Sequence, residues 1–213
     1  MGRFINGING PIWGKVGTVV GSSRNGIPYL KAKSKGRTPT VSDRELANRK
    51  KFAAAQAWLQ PLLSFVREGF RGYSQRSHGF IAAKSWVLKN SFVKDAQGLL
   101  RIDPALVKVS SGTLPLPEDL SVSQMENRDL KFSWNPASKE GTEKDQIMML
   151  AYDIKLAAAV YTTTGQFRTT GSDTLSLDSL TKGNGKNYHI YAAFNAADRS
   201  RQSESVYLGE FSI

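Results

Sequence analysis

Two histidines, His78 and His189, supply the only imidazoles in the 213-residue chain, and cysteine is absent. That removes thiolate nucleophiles, disulfides and cysteine metal sites together. A Ser–His nucleophile would need one of the two histidines. Neither stands in a His-Glu-x-x-His or a Gly-x-Ser-x-Gly setting. His189 follows Tyr188 in an alternating run and reads as a sheet residue. His78 lies in Arg76-Ser77-His78-Gly79 and reads as part of a solvated turn. Glu140, Glu143 and Asp145 cluster after Trp134, but they lack the spacing and pivot glycine of a calcium loop, so a solvated loop is expected. The glycines do not make a phosphate cradle either. Gly21-x4-Gly26 is followed by Ile27-Pro28 where a P-loop needs Lys-Ser/Thr, and no Gly-x-Gly-x-x-Gly opens a helix. No catalytic, cofactor-binding or metal-ligating residue is therefore assigned, no cofactor is expected, and the chain reads as a non-enzyme.

Charge offers more than catalysis. The chain carries 29 Lys+Arg against 18 Asp+Glu, a net +11. Residues 1–110 hold 19 Lys+Arg and 5 Asp+Glu, whereas 111–213 hold 10 and 13. Lys31, Lys33, Lys35 and Arg37 recur at spacing two, which on a strand aims all four to one side. With Lys15, Arg24, Arg44, Arg49, Lys50 and Lys51 they form the candidate contact set for nucleic acid or another anionic surface. The same lysine row also suits an edge strand guarded against aggregation.

These cations need elements to hold them. Gly2, Gly7, Gly10, Gly14, Gly17, Gly21, Gly26 and Gly36 punctuate short β-branched runs, so the N-terminus reads as a β-ribbon. Asn25-Gly26 suits a tight type I′ turn between strands near 15–23 and 27–33. Pro28 places the second strand at an edge or a bulge. A hairpin alone is marginal in water. Trp13, Val16, Val19, Val20, Ile27 and Tyr29 are accordingly the candidate self-association residues. A helical region follows. Ser42-Asp43-Arg44-Glu45 forms a capping box; Leu59, Leu62, Leu63, Val66 and Phe70 mark one face, and Pro61 predicts a kink or break near 57–61. A second helix is expected from about Gly79 to Phe92, capped by Ser77. Phe80, Ala83, Val87 and Ser91 lie on one of its faces, and Ile81, Leu88 and Phe92 on the next.

Beyond residue 120 the apolar period becomes two. Leu130, Phe132 and Trp134 alternate with polar residues; Met148, Leu150, Tyr152, Ile154 and Leu156 follow, with further runs at 159–163, 174–177, 188–195 and 206–210. About seven turn-punctuated strands predict an antiparallel sandwich. The fold class is thus α+β: an N-terminal glycine-rich hairpin with helices over 1–110, then a β-sandwich over 111–213. The seam is placed near Ser110-Ser111-Gly112-Thr113-Leu114-Pro115-Leu116-Pro117, read as a linker or an extended lead-in strand.

Trp134 on the second strand, Tyr152 on the third, and Leu180 then Tyr188 before the sixth resemble a fibronectin type III domain. The resemblance implies an Ig-like sandwich with Tyr188 as its tyrosine-corner residue. The Leu180–Tyr188 interval is longer than usual in that family and lacks its proline. Over nearly its whole length the chain also resembles an uncharacterised family of proteins of this size from the Bacteroidota. The resemblance rests on the GKVG-x-VVG motif of residues 14–21, on Val109-Ser110-Ser111-Gly112-Thr113-Leu114 and on Phe132-Ser133-Trp134. It implies a self-contained two-part architecture and carries no activity.

The functional expectation is a non-catalytic structural or assembly protein. It would self-associate through the basic ribbon, form homo-oligomers or particle subunits such as those of a virion, and present a sandwich. The alternative is a backbone-directed nucleic-acid-binding protein. No apolar run is long enough to span a membrane and no secretory h-region is seen, so cytoplasmic synthesis is expected, with the final compartment open.

Overall fold

The computed structural model describes residues 2–4, 7, 10–24, 26–36, 40–73, 78–127, 129–137, 143–177 and 186–213. The chain divides into two compact units, Met1–Leu46 and Ala47–Ile213.

The first unit is an antiparallel meander of β1 (Arg3–Phe4), β2 (Ile12–Val16), β3 (Val19–Arg24) and β4 (Ile27–Ala32), in that spatial order. The expected strand over 15–23 is divided here. Val16 pairs with Val19, and Gly17-Thr18 closes a two-residue turn between them. Gly17 takes φ +56 while Thr18 keeps a negative φ, the type II′ pattern that matches strand twist. The second expected turn closes Arg24 onto Ile27; Asn25 lies outside the described residues. Gly21 serves a different need, because a Cβ there would strike the Ile12 carbonyl, which crosses directly over it. Pro28 sits in β4, the terminal strand, where its missing N–H costs the ladder least.

α1 (Asp43–Leu59) starts as the capping box requires, with the Glu45 N–H donating to Ser42 Oγ at 3.3 Å. Pro61 interrupts helicity: a 3₁₀ turn over Gln60–Leu62 leads into α2 (Leu63–Gly69). α3 (Gly79–Asn90) begins after His78, whose side chain makes no cap; Ser77 lies outside the described residues. Ala83, Val87 and Ser91 are buried as expected, but Ile81 is exposed, since Ala82 takes the inner position next to Ala83. A hairpin of β5 (Phe92–Lys94) and β6 (Leu100–Ile102) follows.

Among the described residues the sandwich has seven strands. One sheet runs β10 (Ala158–Thr162), β9 (Gln146–Asp153), β12 (Asn187–Asn195), β13 (Val206–Ser212); the other runs β11 (Ser172–Leu175), β8 (Leu130–Ser133), β7 (Ser121–Gln124). All neighbours are antiparallel. Between the sheets lie Leu130, Phe132, Trp134, Ile147, Met149, Tyr188, Ile190 and Phe194. The α+β class with a β-sandwich is therefore observed.

The compact division falls away from the expected 110/111 seam. β9 is apolar on both faces, so its second face must also be covered. Met148, Leu150, Tyr152, Tyr191 and Ala193 form one core with Trp58, Leu59 and Leu62, Phe65 and Val66 of α2, and Ala83 and Val87 of α3. Trp58 meets Tyr152 edge-on at 5.0 Å between centroids. The stretch read as a linker is itself stitched down. Ser110 Oγ donates to the Gly69 and Ser203 carbonyls at 3.0 and 2.7 Å, and the Leu114 N–H donates to the Gln202 carbonyl at 2.9 Å.

Candidate self-association surface

The β-ladder fixes which ribbon side chains share a face. Lys15 pairs with Val20 and Val20 with Lys31, so these three form one row across β2–β3–β4. Tyr29 lies opposite Ser22 and Ile27 opposite Arg24, on the same side as that row. Leu30 pairs with Gly21 on the other side. Gly10, Pro11, Ile12, Pro28, Tyr29 and Leu30 line an open cavity of about 400 Å³ between β4 and the start of β2.

Burial is what sets this sheet apart. Among the described residues of Met1–Leu46, Gly21 alone is buried. All six residues of β4 are exposed. Ile27 is 71% and Leu30 57% exposed, Tyr29 42%, Val16 39% and Trp13 38%; Val19 and Val20 are half-buried. A sheet holds together when at least one face packs against something. Among the described residues neither face has a fully buried apolar side chain, and no strand lies beside the outer edge of β4.

The predicted cations are placed less uniformly. Lys15, Arg24 and Lys31 are exposed on strands, and Lys33 and Lys35 are exposed just beyond β4. Arg37 lies outside the described residues. The row is therefore shorter as a strand feature than the spacing suggested, because β4 ends at Ala32. Arg44, Arg49 and Lys50 are exposed on α1, whereas Lys51 is half-buried, its Nζ 4.8 Å from the centre of the Phe92 ring. Leu30, Pro11 and Ile12 belong to the surface although the sequence reading missed them. The signal was present in the alternation of Pro28, Leu30 and Ala32 opposite the lysine face.

The residues with potential for chemistry are committed elsewhere. His189 Nδ1 lies 2.9 Å from the Tyr207 hydroxyl, and burial pushes its pKa below the ordinary histidine value against the opposing charges of Glu210, Asp153 and Asp103. His78 precedes α3 and lines a cavity of about 580 Å³ with Arg67 and Arg71, the latter paired to Glu68. Asp145 corrects the solvated-loop expectation: it is buried and 3.3 Å from buried Arg168, while Glu140 lies outside the described residues. Burial raises the Asp145 pKa, with Arg168 opposing. Arg168 also donates to the Pro115 carbonyl at 2.6 Å, its own carbonyl accepts from Trp134 Nε1 at 2.7 Å, and its guanidinium lies 4.8 Å from the centre of the Phe194 ring. Tyr188 is buried where the corner residue was expected, but its hydroxyl has no hydrogen-bond partner among the described residues, and Leu180 lies outside them. No group of three or more metal-ligating side chains with suitable geometry occurs among the described residues. No helix among them is long and apolar enough to cross a membrane.

These features define a β-sandwich protein backed on one sheet by helices and bearing a glycine-rich N-terminal sheet whose described side chains are exposed or half-buried. The chain belongs to a family of unknown function (DUF6266), whose model matches residues 11–209. The match takes in β2–β4 as well as the sandwich, so the ribbon is part of what the family shares. No curated protein and no solved structure matches the chain.

Proposed function

We propose that the protein is a non-catalytic structural or assembly subunit that self-associates through its basic N-terminal ribbon and displays the sandwich, as part of a virion or another multi-copy particle. The observation that carries this reading is the four-stranded sheet in which, among the described residues, only Gly21 is buried. Ile27, Tyr29 and Leu30 gain little burial within a lone copy, and on this reading an outside surface supplies it. We also assign the GKVG-x-VVG segment as the family's ribbon signature, with a range in the Bacteroidota, and the sandwich as fibronectin type III-like.

A second reading, nucleic-acid binding through phosphate contacts, draws on the exposed Arg44 and Lys50 of α1 and on the exposed lysines of the ribbon. Light scattering against ionic strength, with and without DNA, separates the two. An assembly subunit forms defined multimers without DNA, and deleting residues 1–37 leaves a soluble monomer. Unchanged mass after that deletion removes the proposed mechanism. DNA-dependent complexes that dissolve steeply with salt favour the second reading.

A further inference from the structure

We infer that the surface covering the ribbon is a second copy of this chain, joined head to tail: the free edge of β4 in one copy pairs with the free edge of β7 in the next. This rests on the assembly reading and names its partner strand.

Among the described residues both strands end their sheets, β4 after β3 and β7 after β8, and neither has a ladder partner on its outer edge, although β7 packs near β13 of the other sheet. Their flanking charges are opposite, although Lys131 of β8 pairs with Ser123 of β7. From the N-terminus to Ser42 the chain contains no acidic residue; Lys31 lies on β4, Lys33 and Lys35 lie just beyond it, and Arg24 ends the neighbouring β3 opposite Ile27. Between Lys108 and Arg128 it contains no basic residue, and Glu118, Asp119 and Glu126 flank β7. None of those three carboxylates forms an ion pair among the described residues. Apolar matter is available on both sides: Ile27 and Leu30 on β4, Met125 just after β7.

Pairing β4 with a second β4 instead would set the lysines of both copies along one seam, which like-charge repulsion opposes. The edge of β13 is a weaker match. Of its two nearby carboxylates, Glu204 is already bound to Lys108 at 2.6 Å. Because β4 and β7 are different surfaces, the joint is heterologous and repeats from copy to copy, giving a ring if it closes and a filament if it does not.

Sedimentation velocity of the full chain at low salt tests this with three charge-reversed forms, each checked for an unchanged far-ultraviolet circular dichroism spectrum. K31E/K33E/K35E and E118K/D119K/E126K are each expected to weaken self-association roughly 100-fold or more. Both sets in one chain are expected to restore it, since the joint is then reversed but still complementary. Glu210→Lys on β13 is expected to leave it unchanged. If the lysine set breaks assembly and the carboxylate set does not, the head-to-tail joint is wrong while ribbon-driven assembly stands. If E210K alone breaks it, β13 is the partner strand and the inference falls. A wild-type chain that stays monomeric, or assembly untouched by the lysine set, overturns the inference and the assembly reading together.

Discussion

Replacing Ile27 and Leu30 by serine is the perturbation whose outcome the structure constrains most tightly. Fully burying an Ile or Leu side chain is worth about 1.5–3 kcal/mol. Ile27 is 71% and Leu30 57% exposed, so about two thirds of that gain is unclaimed within one copy. If both become covered on association, the pair contributes ~2–4 kcal/mol to the joint. At about 1.4 kcal/mol per tenfold, the dissociation constant of Ile27→Ser/Leu30→Ser should rise roughly 30- to 1000-fold. The thermal midpoint of the sandwich should stay where it is, since neither side chain belongs to either hydrophobic cluster. Analytical ultracentrifugation over a concentration series gives the first quantity, and circular dichroism melting gives the second. A double variant that associates as tightly as the wild type would show that these side chains are not the covered ones. One whose midpoint falls sharply would show that they are already buried by their own chain. Either result refutes the reasoning.

Three further outcomes follow from the same structure. Arg168→Met leaves the Asp145 carboxyl buried without its partner and should cost about 3–5 kcal/mol, roughly 6–20 °C in thermal midpoint for a unit of this size; adding Asp145→Leu should recover most of that, and a loss below ~1 kcal/mol for the single change would contradict the buried pair. His189 has a lowered pKa, so the unfolded chain takes up the proton first: its contribution to stability is intact above the ordinary histidine value near pH 6.5 and is lost as the pH falls through and below it. His189→Gln should therefore flatten the stability profile below about pH 6.5 in denaturant titrations, and an unaltered slope there would count against that assignment. Gly21→Val should drive its side chain into the Ile12 carbonyl and strip hydrogen-exchange protection from β2–β4 while leaving β8, β9 and β12 protected; retained protection in the ribbon would mean that the crossing over Gly21 is absent.

The sandwich was the most legible part of the sequence. Leu130, Phe132 and Trp134 face inward together because strand alternation dictates it, and Tyr188, Ile190, Ala192 and Phe194 segregate from His189 and Tyr191 for the same reason. The change at Pro61 was equally readable, since its ring removes an N–H and clashes with the carbonyl four residues back, which interrupts regular α-helix. The helix-backed sheet was not legible. The run Ile147–Tyr152 is apolar at nearly every position, which signals burial on both faces, but periodicity does not say what lies on the second face. The same gap moved the division of the chain: Ser110-Ser111-Gly112 has the composition of a linker, and only the Ser110 hydrogen bonds make it a seam within one packed unit. Asp145 looked solvated because its partner, Arg168, is 23 residues away in sequence and brought near by the turn before β11. On the ribbon, spacing placed Lys31, Tyr29 and Ile27 on one face of β4, as the ladder does. It missed Leu30, which faces the opposite side of β4 and lines a cavity with residues of the β1–β2 connection.

The central claim is that the ribbon gains its burial from another chain. Sedimentation velocity of the full-length protein, over a wide concentration range and at low and high salt, tests it most directly. The account predicts masses that rise with concentration above the 23.4 kDa of a single chain and fall again as salt screens the lysines. One species of single-chain mass under every condition would contradict it.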